Sequence, residues 1–201
     1  MIAVLDYGIG NLRSAQKALE RVGADARLTS DPDEVEAADG VVLPGVGAFG
    51  RCLEALRATG LEEPARRAAD SGTPFLGICI GMQMLYEGSE EDPGTPGMGV
   101  LQGQVRLLPE GVKRPQIQWN RLDRQAETPM LADLDDPPWV YFNHSYAPEP
   151  GPHVVATCDY GTPVVAAVEH GSLWATQFHP EKSGTTGLRI LANFVAATRA
   201  G

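Results

Sequence analysis

At 201 residues, 43% of them hydrophobic, the chain is long enough for one sizeable core, and a single domain over 1–201 is expected. With 26 acidic residues against 16 basic ones the formal charge is −10, which argues against binding nucleic acid through its phosphates. No apolar run reaches the roughly 18 residues of a membrane span, and the four His and three Cys lack zinc-ligand spacing, so neither a membrane nor a metal is expected.

The N-terminus runs directly into an apolar segment, 2–7, with no basic leader, and the odd, unpatterned cysteine count fits a reducing cytoplasm. After it, Asn11 is placed to cap a helix whose apolar face is Leu12, Ala15, Leu19 and Val22, closed by Gly23. A short strand over 26–29 follows, then a brief acidic helix opened by Asp31-Pro32. The buried strand 41–43 runs into Pro44-Gly-Val-Gly47, and Phe49, Cys52, Leu53 and Leu56 then fall at helical spacing, with Gly60 just beyond. Another helix, 61–69, leads to the apolar run before Cys79, and a helix over 80–86 follows it. Strand and helix alternate throughout this half, which predicts a parallel α/β sheet.

From Met98 the texture changes to short strands separated by Gly, Pro and Asp: 100–108, 117–122, 140–146, 154–159, 164–169 and 173–178. The last two form a hairpin turning at His170-Gly171, and a closing helix carries Leu188, Leu191 and Val195. The acidic segment 90–97 reads as an exposed loop between two halves of one domain.

Cys79 carries the chemistry. It stands between Gly77 and Gly81 at the end of an apolar strand and the start of a helix, the setting of a nucleophile elbow with sulfur in place of oxygen. The helix N-terminus and a neighbouring His favour the thiolate. Cys52, on an apolar helix face, and Cys158, in a strand, read as structural. His179 emerges at the end of strand 173–178, and Glu181, two residues on, shares its face if the chain stays extended, which completes a Cys-His-Glu triad. His144 is the competing base. The turn Gly45-Val46-Gly47 lies at the same sheet edge as Cys79, where its N–H groups and that of Ile80 are placed to line an oxyanion hole. Gly8-Ile-Gly10 is too short for a dinucleotide fingerprint, and no cofactor is expected.

Asp6-Tyr-Gly-Ile-Gly-Asn-Leu12, Leu43-Pro-Gly-Val-Gly-Ala-Phe49, Gly77-Ile-Cys-Ile-Gly-Met-Gln83, Tyr141-Phe-Asn-His-Ser-Tyr146 and Ala175-Thr-Gln-Phe-His-Pro-Glu-Lys-Ser183 together resemble the class I, triad-type glutamine amidotransferases over nearly the whole chain. The opening segment and Lys182-Ser183 resemble the histidine-biosynthesis branch of that family. The resemblance implies a flavodoxin-like fold: a central, mostly parallel sheet with flanking helices and an antiparallel C-terminal extension. It implies that Cys79 attacks the side-chain amide of glutamine while His179 moves the proton and Glu181 orients His179. Gln83, His144, Ser145 and Tyr146 would hold the substrate, with Gly45, Val46 and Gly47 near its carbonyl. Ammonia would pass to a (β/α)₈-barrel cyclase subunit in a heterodimer, docked around Asn11 and Lys182.

The sequence departs from the family pattern at Pro115-Gln-Ile-Gln-Trp-Asn120, where Pro-His-Met-Gly-Trp-Asn is common, and at Asn143. The Gln116 to Gln118 change is expected to touch the partner-facing surface. Two other functions compete: a stand-alone glutaminase or glutaminase subunit of another amidotransferase, and a non-catalytic module that binds a partner. The intact Cys79, His179 and Glu181 weigh against the second.

Overall fold

Ile2–Leu5 (β1) is buried along its whole length, as a central parallel strand covered on both faces must be. In the computed structural model, which describes Met1–Arg199, α1 (Leu12–Arg21) follows and stops before Gly23, whose φ of +88° ends the helix as the sequence suggested. Asn11 occupies the cap position, but its side chain makes no capping hydrogen bond, a departure from the expected role. After β2 (Ala26–Thr29), the Asp31 carboxylate accepts the Asp33 N–H at 3.0 Å and opens α2 (Pro32–Glu36).

The parallel half continues through β3 (Gly40–Gly45), α3 (Phe49–Ala58), α4 (Glu62–Asp70), β4 (Phe75–Cys79) and α5 (Ile80–Met84). The second half holds β5 (Gly88–Ser89), β6 (Gln104–Leu107), β7 (Gln116–Arg121), β8 (Asp123–Arg124), β9 (Trp139–His144), β10 (Tyr146–Pro148), β11 (Val154–Asp159), β12 (Pro163–His170) and β13 (Leu173–Thr176), before α6 (Gly184–Ala197).

Eight strands form one sheet in the order β2-β1-β3-β4-β13-β12-β11-β8. The first five are parallel, the flavodoxin-like order with β13 in fifth place, and β12, β11 and β8 extend the sheet antiparallel. The expected fold class is therefore the observed one. Helix α1 packs with α6, and α4 packs with α2 and α3. Phe49, Phe75, Phe142, Phe178 and Phe194 fill the core without exposure. Two small sheets, β10-β6-β5 and β7-β9, stand beside the main one.

Several boundaries move from their expected places, among them the strands expected over 2–7 and 173–178, which end at Leu5 and Thr176. The strand expected over 100–108 is only Gln104–Leu107, because the Met98 and Leu101 N–H groups turn back to the Met84 and Leu85 carbonyls at 2.8 Å each and close the end of α5. That same return shortens the helix expected over 80–86 to five residues. The strand expected over 140–146 breaks at Ser145, where the chain passes from pairing with β7 to pairing with β6.

Candidate active site

Cys79 ends β4 with φ 55° and ψ −109°, a conformation that an L-residue adopts only when its surroundings enforce it. The flanking glycines show how it is enforced. A Cβ on Gly81 would stand 1.8 Å from the Leu43 carbonyl oxygen, and one on Gly77 would stand 3.1 Å from the Gly81 carbonyl. The strand, the sharp turn and α5 close on one another here with no room for side chains, and the thiol is left at the carboxyl edge of the sheet. This is the elbow that the Gly-Ile-Cys-Ile-Gly spacing led us to expect.

His179 follows β13, the strand adjacent to β4, and its N–H donates to the Tyr141 carbonyl at 3.0 Å. Its Nδ1 lies 2.8 Å from the Glu181 carboxylate, with both side chains only 2% exposed. The pairing does not arise from an extended chain, as the sequence reading supposed. Pro180–Lys182 forms a turn of 3₁₀ helix, and the turn swings Glu181 back onto the imidazole. Burial alone would push His179 down, but its interactions with the Cys79 sulfur and the Glu181 carboxylate outweigh burial and hold it up at about 9.

The other thiols differ. Burial pushes Cys52 up to about 11 and Cys158 up to about 12, so both are un-ionised at neutral pH. The Cys52 Sγ donates to the Val46 carbonyl at 3.3 Å, which turns that carbonyl toward α3 and the Gly47 N–H of the same trans peptide the opposite way.

His144 is a poor base. Burial brings it down to about 4, and both ring nitrogens are engaged, Nδ1 with the Tyr146 carbonyl at 2.8 Å and Nε2 with the Gln116 amide at 3.0 Å. The atom of Gln116 that meets Nε2 is its Oε1, while its Nε2 donates to the Cys158 Sγ at 3.9 Å. Gln116 is fully buried. Its departure from the family pattern is thus a change inside the molecule, whereas the neighbouring Ile117 faces outward at 58% exposure.

A cleft of about 300 Å³ opens over Cys79 and His179. Val46, Gly47, Ile80, Gln83, His144, Ser145, Tyr146 and Lys182 line it, all singled out from the sequence. Gly45 and Asn11 are not among the lining residues. Gly45 instead lies opposite Cys79 in the β3–β4 register, where a Cβ would approach the Gly81 nitrogen to 2.8 Å. Asn11 starts α1, which touches the turn carrying Lys182.

Sequence reasoning missed Glu91, Asn143 and Pro115, which also line the cleft. Glu91 belongs to the segment expected to be an exposed loop. In fact its carboxylate reaches back over 42 positions to accept the Phe49 N–H at 2.8 Å and so caps α3. No local pattern marks such a contact. The Gln83 Oε1 is buried with no hydrogen-bond partner among the described residues, an unspent acceptor at the cleft.

Outside the cleft, Ile117, Trp119 and Arg121 of β7 pair with Asn143, Tyr141 and Trp139 of β9 and share one face. Trp119 and Trp139 are each 47% exposed, and Trp119 meets Tyr141 edge-on at 6.1 Å. This apolar ribbon begins at Asn143 on the cleft's rim. No helix among the described residues is long and apolar enough to cross a membrane.

The family model for class I glutamine amidotransferases matches residues 3–198. Among curated proteins, the imidazole glycerol phosphate synthase subunit HisH of Methanothermobacter thermautotrophicus is 48% identical over 201 residues, covering all of both chains. The protein of that name from Nostoc punctiforme is 50% identical, with 99% of this chain and 97% of the relative covered. The one from Symbiobacterium thermophilum is 47% identical, with 96% and 92% covered. Among solved structures, a glutamine amidotransferase superposes with a TM-score of 0.77 at 22% identity, covering 98% of each chain, and PurLQS from Thermotoga maritima with 0.75 at 22%, covering 97% of each; both bear on the fold alone. With a family model matched almost end to end and relatives near half identity over 92–100% of their length, the chain belongs to the class I glutamine amidotransferases, in one family with the imidazole glycerol phosphate synthase HisH subunits.

Proposed function

We propose that the chain is the glutaminase subunit of an imidazole glycerol phosphate synthase, working as one amidotransferase domain in the cytoplasm. What supports this most is a buried imidazole bonded to a carboxylate at 2.8 Å beside a cysteine held on a strained elbow, all opening on one cleft. Cys79 and His179 share one proton, which His179 carries while the sulfur attacks. Cys79 Sγ attacks the amide carbon of glutamine, and the carbonyl oxygen accepts N–H bonds from Ile80 and from the Val46–Gly47 turn. The tetrahedral intermediate collapses, the C–N bond breaks, and His179 gives its proton to the departing ammonia, leaving a γ-glutamyl thioester. Neutral His179 then takes a proton from water as the oxygen attacks the thioester. Thiolate leaves, glutamate is released, and Glu181 stabilises the imidazolium that re-forms.

The cleft's polar ends suit a zwitterionic amino acid. Glu91 supplies a carboxylate for the α-ammonium, and the unpartnered Gln83 Oε1 supplies a further acceptor, with Ser145 and Tyr146 along the wall. Ammonia free in neutral water would become non-nucleophilic ammonium, so a partner must receive it directly. The partner is a cyclase subunit of (β/α)₈-barrel form that makes imidazole glycerol phosphate and aminoimidazole carboxamide ribonucleotide. It docks on the face formed by Asn11, Lys182 and the Trp119–Trp139 ribbon.

The test is a glutaminase assay of the purified chain with and without a cyclase subunit and its nucleotide ligand. Cys79→Ala is expected to abolish turnover with the fold intact, while Cys52→Ala retains most of it. Equal loss in both folded variants would displace Cys79 as nucleophile.

A further inference from the structure

Strands β4 and β13 pair Thr176 with Ile78, so the next residues along, Gln177 and Cys79, leave the sheet side by side. Gln83 lies four residues past Cys79, one turn along α5 and on the same side. Three buried side chains thereby form a continuous line. The Gln83 Nε2 donates to the Tyr146 carbonyl at 2.9 Å and to the Gln177 Oε1 at 3.0 Å, and the Gln177 Nε2 donates to the Cys79 Sγ at 3.7 Å. Gln83, Gln177 and Cys79 are 1%, 0% and 3% exposed.

The direction of this line is fixed at one end. A backbone carbonyl can only accept, so Gln83 must turn its NH₂ toward Tyr146, and the second hydrogen of that NH₂ meets Gln177. Gln177 therefore faces Gln83 with its oxygen and the sulfur with its NH₂. The line ends as a donor on Cys79.

We infer that Gln177 is a further catalytic group, whose side-chain N–H stabilises the sulfur of Cys79 in the anionic form that attacks the substrate. The inference rests on the proposed role of Cys79 as nucleophile. A buried anion must find donors in place of water, and α5, at five residues, is too short to supply much through its dipole. His179 is one partner, and Gln177 is the second. The bond that the un-ionised thiol gives to a carbonyl, that of Asn143, is long at 3.9 Å. Replacing thiol by thiolate exchanges that long contact for a charge-assisted bond to a donor already in place.

The test measures iodoacetamide alkylation of Cys79 against pH in the full-length protein, followed by mass spectrometry of the labelled peptide. Gln177→Met keeps the length of the side chain and removes the donor. Its alkylation profile is expected to move to higher pH, with the rate at pH 7 falling about tenfold, the worth of one hydrogen bond to a charged group. The limiting rate at high pH should be equal or greater, since a less acidic thiol gives a stronger nucleophile. A merely structural role would instead leave the profile in place or change only accessibility. Gln177→Glu, of the same shape with acceptors toward the sulfur, should shift the profile further, and it decides the matter alone if the Met variant fails to fold by circular dichroism. Profiles that superimpose on that of the native protein overturn the inference. Activity in Cys79→Ala would instead refute the proposed function, while the alkylation profiles still report whether Gln177 bonds the sulfur.

Discussion

Gly81 rests on the carbonyl of Leu43 so closely that a Cβ would lie 1.8 Å from the oxygen. Backbone rather than a flexible side chain stands in the way, so relief requires β3 and α5 to separate. Gly81→Ala is expected to cost about 3 kcal/mol, the upper end for overpacking, and to lower glutaminase turnover at least tenfold by displacing Cys79. Denaturant melts with turnover on the folded fraction check both. A variant of native stability would mean that the elbow has slack.

The parallel half of the molecule was legible because each of its turns is written in local chemistry. Asp31 and Pro32 open α2, and Gly23 and Gly60 end helices at positive φ. The elbow could be read from its glycine spacing, and Gly77 does answer a demand inside that span, from the Gly81 carbonyl, although Gly81 itself answers to Leu43 on the neighbouring strand. Glu91 could not, because its partner lies 42 positions away. Glu181 was found for the wrong reason: its distance to His179 comes from a 3₁₀ turn, and a spacing of two fits an extended chain equally well. Gln177 was in view within the Gln-Phe-His-Pro-Glu string, yet its alignment with Cys79 needed the β4–β13 register, which no single segment encodes.

Members of the His179–Glu181 pair should fail unequally. His179→Asn removes the group that carries the proton and is expected to reduce turnover nearly as far as loss of Cys79, since residues acting as a unit do not add. Glu181→Gln leaves a neutral partner near Nδ1 and should cost less. Single-turnover rates with glutamine in the assembled enzyme separate the two. A mild His179→Asn beside an inactive His144→Asn would reassign the base, against the two bonds that already occupy His144.

Two histidines should bracket stability against pH. His144 falls from 6.5 to about 4 because burial disfavours its charge, so its contribution is present above pH 6.5 and is lost as pH falls through about 4. A shift of that size corresponds to about 3 kcal/mol. His179 is held up at about 9, so its contribution is present below pH 6.5 and is lost as pH rises through about 9. Urea midpoints between pH 4 and pH 9.5 should therefore fall on both sides of a maximum near neutrality. His144→Gln should flatten the acid limb only, and His179→Asn the alkaline limb only. A single variant that flattened both limbs would show that the two titrations are not separate.

The docking face is tested by pairing a charge with an aromatic. Lys182 lines the cleft but is exposed, in the turn that carries Glu181, and Trp119 stands out from the ribbon at 47% exposure. If the cyclase subunit covers both, Trp119 fills a pocket on it and Lys182 meets an acidic group near the point where ammonia leaves. Trp119→Ala should then weaken association by about 2 kcal/mol, roughly 30-fold, chiefly through faster dissociation. Lys182→Ala breaks one side of a charge pair that becomes buried on assembly, and about 2–5 kcal/mol is expected, part of it from the stranded partner charge. Lys182→Ala should leave the urea midpoint of the free subunit in place, since that side chain is exposed, and Trp119→Ala should lower it only slightly, through loss of the contact with Tyr141. The two losses should differ in kind. Saturating cyclase restores coupled synthesis to Trp119→Ala, whose defect is affinity, but not fully to Lys182→Ala, whose charge also stands where ammonia crosses. Native affinity and native coupled turnover in both variants would move the docking face away from this side of the molecule.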